Sequence, residues 1–265
     1  MKTAVAGLAF DIGPDEALSP DEALVIDRLA GTASGPSFHL TVAEGEGAPG
    51  MAMGAPADVQ SPDRRVLEVR HASFQARLDV WGGVGELRRP RGLAFPLEIS
   101  LRVAMAARLP LAGGLPLHAA GIVVDGRGVA FFGPSGAGKS TLAGLSPYPV
   151  LSDEMIAVQG GDAFSLAASG FWGTFGTGPA LTGTFPLAAI VELGKALTVR
   201  WEALPPDRAL RRLIPSILVP PAATVWNTAL AVLGRLVRAV PVYRMEWAPG
   251  APPWRDVARL ATKAV

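Results

Sequence analysis

The stretch "FFGPSGAGKSTLAGLSPYPVLSDE", residues 131–154, decides how the rest of the chain is interpreted. Within it Gly133, four further residues and then Gly138, Lys139 and Ser140 complete the pattern G-x-x-x-x-G-K-[ST] of a phosphate-binding loop. The apolar run "GVAFF" suits a buried strand before the loop, and "STLAGL" can open a helix after it. Because the motif requires this strand–loop–helix context, the sequence predicts an α/β fold that binds nucleotide phosphates here.

The residues of this loop have separate predicted roles. Gly133, Gly136 and Gly138 let the backbone turn tightly and direct N–H groups at phosphate oxygens. A helix that begins near Lys139 adds the positive end of its dipole to the same anion site. The Lys139 ammonium reaches the terminal phosphates, and the Ser140 hydroxyl binds Mg²⁺. The predicted nucleotide-binding set is Gly133, Ser135, Gly136, Ala137, Gly138, Lys139, Ser140 and Thr141.

Composition limits the classes of function. The chain has 265 residues, 49% of them hydrophobic, so it can bury a substantial core in one domain with an appendage or in two domains. A formal net charge of +1 gives no general attraction to nucleic acid. There is no cysteine, which excludes disulfides, thiol catalysis and cysteine-ligated zinc. The three histidines, His39, His71 and His118, have no metal-ligand spacing.

Two apolar segments have some features of a targeting or membrane signal. The start "MKTAVAGLAFDIGPDEA" is superficially like a signal peptide, but Asp11 interrupts the apolar run too early. The apolar region 93–117 contains Glu98, Arg102 and Arg108 together with several prolines, which makes it a poor membrane span. We therefore expect a cytoplasmic protein without membrane insertion.

Turn residues and apolar periodicity divide the chain into two predicted parts. Residues 1–90 contain a helix that begins after Ser19, has Glu22 in a capping box and ends at Gly31, together with several strands, a turn near residues 71–73 and a loop over 43–57. We therefore predict a small mixed β-rich module. Residues 91–265 contain the phosphate loop, three further helices and the remaining strands, and they are predicted to form the domain that carries the chemistry.

Two of these helices have a predicted apolar face. The face of the helix over "PLEISLRVAMAARL" is formed by Leu97, Leu101, Met105 and Leu109. The helix over "AATVWNTALAVLGRLVRAV" has an apolar side for which burial against a sheet is favoured over a role at a membrane surface. The residues of that side are Val225, Ala229, Val232, Leu233, Leu236 and Val240.

An acidic pair, Asp153 and Glu154, follows Lys139 after only fourteen residues. The pattern "YPVLSDEMIAV" predicts one strand that passes the mouth of the loop and presents the pair beside Ser140. One carboxylate then helps to hold Mg²⁺, and the other takes the proton of an acceptor hydroxyl. Adjacent residues of an ideal strand point to opposite faces, so both carboxylates reach one site only if the strand bends. The alternative is a solvated, inert acidic turn.

His118 lies fifteen residues before Gly133, at the end of the strand that enters the hairpin "LHAAGIVVDGRGVAFFG". A single histidine in an apolar run is more often a hydrogen-bonded core residue than a catalyst, because imidazole packs well once its nitrogens are satisfied. The sequence by itself leaves both interpretations open.

These motifs together resemble a known family. "LHAAGIVVDGRGVAFFGPSGAGKSTLAGL…VLSDE" is similar to the catalytic region of HPr kinase/phosphorylase and its related bacterial kinases. That family has a histidine ahead of a β-hairpin, a G-x-S-G-x-G-K-[ST] loop and an acidic pair soon afterwards. It shares its fold with phosphoenolpyruvate carboxykinase, whose nucleotide site this chain also resembles. The resemblance covers residues 115–160 closely, 161–250 loosely and 1–90 least.

The resemblance implies a phosphoenolpyruvate-carboxykinase-like kinase domain and a role for each matching residue. Lys139 and Ser140 match the loop, Asp153 and Glu154 match the acidic pair, and His118 matches the histidine near the catalytic carboxylate. Asp153 aligns with the first carboxylate of the pair, which favours it as the base. In the family the acceptor is a serine hydroxyl on a protein. Related kinases in lasso-peptide clusters phosphorylate a serine at the C-terminus of a precursor peptide.

The chain also departs from the family pattern. The family usually has two aspartates where this chain has Asp153 and Glu154, and the downstream E-I-R-G-x-G signature is not found. The corresponding region is "SGFWGTFGTG", residues 169–178, which either borders the acceptor or is an ordinary connection with core aromatics. These differences favour a related kinase over a dedicated HPr kinase/phosphorylase. Three arginines of "PPDRALRRLIP" suit a phosphate clamp or, more simply, a solvated helix face; they are Arg208, Arg211 and Arg212.

The expected function is an ATP- and Mg²⁺-dependent kinase whose partner is a protein or peptide that bears a serine hydroxyl. The expected catalytic residues are Asp153, Glu154, His118 and Lys139, and the expected metal ligands are Ser140, Asp153 and Glu154. Two alternatives stay open: a kinase for a small-molecule hydroxyl on the same scaffold, and a nucleotide-binding regulator with little turnover. The sequence also leaves the oligomeric state open, a homo-oligomer included.

Overall fold

The computed structural model describes residues 1–29, 31, 33–45, 56–173, 181–251 and 253–263. Over these residues the chain is mixed α/β, with two mixed sheets and six α-helices. Contacts group Met1–Ala112 with Val219–Thr228 in one compact unit, and Gly113–Leu218 with Ala229–Val265 in a second. The α/β class predicted from the sequence is therefore confirmed. The prediction that residues 1–90 form a separate module stays a prediction. The first compact unit continues to Ala112 and also contains residues 219–228.

The first unit is built on a seven-stranded sheet within the described residues. Its elements are β1 (Lys2–Val5), β2 (Gly7–Gly13), α1 (Pro20–Arg28), β3 (Ala33–Glu44), β4 (Asp58–Gln60), β5 (Val66–His71), β6 (Phe74–Asp79), β7 (Val84–Arg89) and α2 (Phe95–Leu111). The strand order is β1-β2-β3-β7-β6-β5-β4, in which β3 runs parallel to both neighbours and the other pairs are antiparallel. Helix α2 packs against β2, β6 and β7, and α1 packs against α2.

Several predicted elements of this unit are confirmed. Ser19 caps α1, and Glu22 completes the predicted capping box, although the helix ends at Arg28, before the expected Gly31. The predicted turn between β5 and β6 is present. The predicted apolar face of α2 is buried; it consists of Leu97, Leu101, Met105 and Leu109. Of the predicted loop 43–57, residues 46–55 lie outside the described residues, and β3 extends to Glu44.

Glu22 has a second role that the sequence did not indicate. Its carboxylate binds Arg89 of β7 through two hydrogen bonds of 2.7 Å, and the side chains of Arg89 and Glu22 are 1% and 0% exposed. Arg89 also donates to the carbonyl oxygen of Ala17. A charge taken out of water is tolerated only when it is paired and hydrogen-bonded, which this arrangement achieves. The ion pair therefore ties α1 to the central part of the sheet.

The second unit contains the phosphate-loop motif. Its elements are β8 (Leu115–Val124), β9 (Arg127–Phe132), α3 (Lys139–Gly144), β10 (Val150–Ser152), β11 (Met155–Gln159), β12 (Ser165–Ala168), β13 (Thr184–Lys195), β14 (Arg200–Leu204), α4 (Pro206–Leu213), α5 (Ala223–Ala239), β15 (Val242–Trp247) and α6 (Trp254–Lys263). The first residues of α5 are grouped with the other unit. The hairpin β8–β9 turns at Asp125 and Gly126, which both have positive φ, as the predicted hairpin requires.

The strands of the second unit pair in a ring. β9, β13 and β15 are parallel, and β14 adds antiparallel at one edge. β8 pairs with β9 through its second half and with β11 through its first half, while β12 joins β11 to β13. The pairing order β8–β9–β13–β12–β11 thus returns to β8. Side chains of β9 and β13 pack together with α3 and α6 in a buried apolar cluster, whose strand members include Val129, Phe131, Val191 and Leu193.

Helix α5 carries the apolar stripe that the sequence predicted to be buried. All the predicted residues are buried: Val225, Ala229, Val232, Leu233 and Leu236 within α5, and Val240 directly after it. The predicted burial of that face is therefore confirmed. A buried face is not available to contact a membrane surface. In the part of the chain described by the structure, no helix is both long and apolar enough to cross a membrane.

We predict that Glu22→Gln strongly destabilises the first unit. The change leaves the buried Arg89 guanidinium without its countercharge, which typically costs about 3–5 kcal/mol. The matched control is Glu86→Gln, which removes the exposed pair with Arg88 and should cost less than about 1 kcal/mol. Thermal or urea unfolding measures both variants. Equal losses in the two would contradict the role given to the buried pair.

Candidate functional site

The phosphate-loop motif follows β9 directly and turns sharply at two glycines. Gly136 and Gly138 have φ values of 75° and 100°, in the left-handed region that other residues rarely adopt. A methyl group on Gly138 would also lie 3.1 Å from Cζ2 of Trp247. Glycine at 138 is therefore required both by the backbone conformation and by the ring behind it.

Lys139 is held inside the loop. Its Nζ donates to the carbonyl oxygen of Gly133 at 3.0 Å and lies 3.5 Å from that of Pro134, and the residue is buried. Burial lowers the pKa of the Lys139 ammonium below its ordinary value, because desolvation disfavours the charged form, while the negative charge of Glu154 partly opposes the shift. The ammonium is thus held in position before any anion binds.

The predicted strand "YPVLSDEMIAV" is not continuous. It is interrupted between β10 and β11, and the interruption consists of Asp153 and Glu154. The Ser152 hydroxyl accepts hydrogen bonds from the backbone N–H groups of Glu154 and Met155, both at 3.1 Å. Local bonds of this kind compete with sheet pairing, so Ser152 ends β10 and produces the bend. The expectation of one unbroken strand was wrong, and the bend lets both carboxylates face one cavity.

His118 and Glu154 are neighbours across β8 and β11. His118 Nδ1 lies 3.0 Å from the carbonyl oxygen of Glu154 and 3.7 Å from Glu154 Oε1. Because a carbonyl oxygen can only accept, Nδ1 carries a proton in this hydrogen bond. The same carbonyl accepts from the N–H of Ala119. The backbone of Glu154 is therefore fixed from the β8 side.

The two carboxylates differ in exposure. Asp153 is 1% exposed and accepts a hydrogen bond of 2.9 Å from the N–H of Gly173 at Oδ1. The Glu154 side chain is 34% exposed. The structure therefore gives the adjacent acidic residues unequal access to a molecule that enters from solvent.

The beginning of the Gly/aromatic segment lies against the acidic turn. The Ser152 hydroxyl donates to the carbonyl oxygen of Phe171 at 2.7 Å, and the Ser169 hydroxyl donates to that of Met155. A methyl group on Gly173 would lie 3.1 Å from Oε2 of Glu154. Residues 169–173 thus form one wall beside the carboxylates; the rest of the predicted acceptor loop, 174–178, lies outside the described residues.

A cavity of about 330 Å³ joins these parts. Its lining residues are His118, Ser135, Gly136, Gly138, Lys139, Ser140, Thr141, Asp153 and Glu154. Nine predicted site residues therefore line one cavity: His118, six residues of the phosphate loop and both carboxylates. Of the predicted set, Gly133 and Ala137 do not line this cavity, although Gly133 accepts the Lys139 hydrogen bond.

The donor set of this cavity fits Mg²⁺ bound together with phosphates. Ser140, Asp153 and Glu154 supply oxygen ligands, which Mg²⁺ prefers, and Mg²⁺ usually takes only one or two carboxylates from the protein beside phosphate oxygens and water. Among the residues that the structure describes, no group of three or more histidine, aspartate or glutamate side chains is arranged to hold a metal by itself. These residues alone would not complete the coordination of Mg²⁺, so phosphate oxygens or water would have to supply the remaining ligands.

The predicted arginine clamp is not part of the cavity. Arg208, Arg211 and Arg212 of α4 bind Glu202, Asp207 and Glu192, respectively, at 2.6–3.0 Å. Sequence analysis, in turn, missed Ser152, Ser169 and Gly173, which hold the acidic turn. A serine directly before two acidic residues was the available signal, because serine favours local side-chain–backbone bonds.

Comparisons with known proteins assign no family. No protein-family model matches the chain, and no curated protein matches it. The resemblance to HPr-kinase-related enzymes therefore rests on the motif residues and their spacing.

We predict that the affinity for a polyphosphate declines as the pH rises. The decline should begin at a lower pH than the ordinary pKa of a lysine would give. The Lys139 ammonium attracts the anion below its pKa and loses that charge above it, and burial has lowered this pKa. Calorimetry with Mg-tripolyphosphate between about pH 7 and 10 measures the decline. Lys139→Arg is the control, because a guanidinium stays charged throughout. The same decline in both proteins would show that another group titrates.

Proposed function

We propose that the chain is an ATP- and Mg²⁺-dependent kinase that transfers phosphate to a serine-type hydroxyl of a protein or peptide. The observation that carries this proposal is the single cavity of about 330 Å³ that holds a complete phosphate loop, two adjacent carboxylates and a histidine. A protein that only stores nucleotide needs the loop and a metal, and has no use for a solvent-accessible carboxylate opposite the loop.

The resemblance to HPr-kinase-related bacterial kinases supports the same proposal. In that family one short helix links the loop to the acidic pair, and here α3 has six residues and β10 follows closely. We propose on this ground that the second unit has the phosphoenolpyruvate-carboxykinase-like fold. The missing E-I-R-G-x-G signature and the Asp153–Glu154 pair favour a related kinase over a kinase/phosphorylase.

The loop residues bind and orient the donor in this proposal. Backbone N–H groups of the loop and the Lys139 ammonium bind the β- and γ-phosphates, and Lys139 stabilises the charge that develops during transfer. Ser140 and Asp153 would hold Mg²⁺, which would supply neutralisation of the phosphate charge. The Gly173 N–H fixes the Asp153 carboxylate from behind, so this ligand is oriented in advance.

The transfer itself needs one proton acceptor. The hydroxyl oxygen of the acceptor forms a bond to the γ-phosphorus, the bond from that phosphorus to the β–γ bridging oxygen breaks, and ADP leaves. The hydroxyl proton passes to a carboxylate, for which we propose Glu154, because it is the exposed member of the pair and lies beside His118. The family resemblance favours Asp153 as the base, because Asp153 matches the first carboxylate of the family pair. The greater exposure of the Glu154 side chain favours Glu154.

We expect Lys139→Ala to abolish transfer and to weaken binding of Mg-ATP by about 10- to 100-fold, since charge-assisted hydrogen bonds contribute about 1.5–3 kcal/mol. Calorimetry measures the affinity. The control is Arg259→Ala, which removes an exposed cation of α6 in the same unit. Unchanged ATP affinity and full activity in the Lys139 variant would refute the nucleotide site.

The carboxylate variants separate a kinase from a passive binder. We expect Glu154→Gln to slow transfer by about 10²–10⁴-fold, the usual contribution of a general base, with Mg-ATP affinity nearly unchanged. Asp153→Asn should lower both transfer and Mg-ATP affinity, because it removes a metal ligand. Transfer rate and nucleotide affinity are measured side by side for each variant.

Glu202→Gln is the matched control, because this exposed carboxylate of the same unit binds Arg208 away from the cavity. The reversed pattern would assign the base to Asp153. If neither carboxylate change slows transfer by more than about tenfold, the pair is not catalytic, and a nucleotide-binding regulator with little turnover explains the site better.

The acceptor is identified with the full chain, γ-labelled ATP and an extract of the source organism. A labelled protein or peptide that contains phosphoserine supports the proposal, and a labelled metabolite supports a small-molecule kinase on the same scaffold. A parallel incubation with the Lys139→Ala protein shows which label arises from other kinases in the extract.

A further inference from the structure

A second cavity adjoins the phosphate loop, and neither residue of the acidic pair lines it. It measures about 500 Å³ and shares Gly136, Gly138 and Thr141 with the first cavity, so the two meet along the loop. Its volume falls within the range of about 300–1,000 Å³ found for small-molecule sites. A ligand whose phosphates bind the loop therefore has room for a further group on this side.

The position of this cavity follows from the parallel strands. β13 and β15 end side by side, with Lys195 paired to Trp247, and the cavity is lined by the residues that follow both ends. The N–H of Ala196 donates to the carbonyl oxygen of Trp247 at 3.1 Å, which holds the two segments together. The space beyond the carboxyl ends of parallel strands is where open α/β sheets bind ligands.

The side chains around this cavity are mainly apolar. Leu197 is 93% exposed at the rim, and Ala196, Ala248 and Pro249 continue the wall. Trp247 is buried behind the loop and adds its ring to the apolar lining, and Lys195 is the one charged residue among those that line this cavity. An exposed leucine gains from contact with a flat apolar ring.

We propose that this second cavity receives the base and ribose of the nucleotide and holds the base by apolar contact. The inference rests on the proposed nucleotide-binding function and adds the class of nucleotide. In this arrangement the base lies against Leu197 and its apolar neighbours, which offer no side-chain hydrogen bonds to its edge, so the site takes purine nucleoside triphosphates with little discrimination between adenine and guanine. Strong discrimination would need polar groups that one base satisfies and the other leaves unpaired.

Calorimetry of the full chain tests this with four Mg²⁺ complexes: those of ATP, GTP, CTP and inorganic tripolyphosphate, which has no base. We expect the dissociation constants of ATP and GTP to agree within about tenfold, because apolar contacts discriminate weakly. CTP should bind more weakly than either purine nucleotide, and tripolyphosphate at least about tenfold more weakly than ATP, because it makes none of the base contacts.

Leu197→Ser should raise the dissociation constants of ATP and GTP about three- to tenfold, since only part of the leucine is covered by the base. It should leave tripolyphosphate unchanged, and the exposed position makes loss of folding no concern. Ala248→Phe, which fills the cavity, should act in the same direction and more strongly. Leu230→Ser, an exposed leucine of the same unit outside both cavities, is the control.

The outcomes distinguish this inference from the function on which it rests. If neither ATP nor tripolyphosphate binds, both fail. If ATP binds no more tightly than tripolyphosphate, or if both cavity variants bind ATP as the original chain does, the nucleotide site stands and the second cavity is not the base site. A preference for ATP over GTP beyond about tenfold overturns the apolar mode of recognition.

Discussion

The hydrogen bonds of one hydroxyl group, that of Ser152, determine the arrangement of the candidate site. Without the bonds it accepts from Glu154 and Met155, β10 and β11 would continue as one strand and the adjacent carboxylates would point to opposite faces. The same hydroxyl donates to Phe171 and so brings residues 169–173 against the turn. The bend between β10 and β11, and with it the access of both carboxylates to one cavity, depends on this serine.

The parts of the fold that could be predicted from sequence are those fixed by local interactions. The phosphate loop, the β8–β9 hairpin, the capped start of α1 and the buried face of α2 each follow from residues close together in the chain. The parts that could not be predicted depend on distant partners. Glu22 was expected only to complete a helix cap, because its partner Arg89 lies 67 residues away. Periodicity carries no information about such a pair.

The sequence predicted which residues form the candidate site, but it did not predict how they are arranged. The loop motif and the spacing to the acidic pair identified nearly all residues that line the first cavity. Asp153 is 1% exposed and is hydrogen-bonded to Gly173, 20 residues further along, so the local pattern could not show that Glu154 is the carboxylate that solvent reaches. No sequence motif indicates the second cavity, because alanine, leucine, tryptophan and proline beside strand ends are also ordinary core and loop residues.

The ring of strands makes β8 the common support of the phosphate loop and the acidic turn. His118 pairs with Met155, beside the acidic turn, and the next residue, Ala119, pairs with Phe132, beside the loop. The separation of loop and carboxylates is therefore set by one step along a buried strand, not by the connection that joins them in sequence. Residues 145–148 take no part in these strand pairings, so a change in the length of this connection need not move the two halves of the site apart.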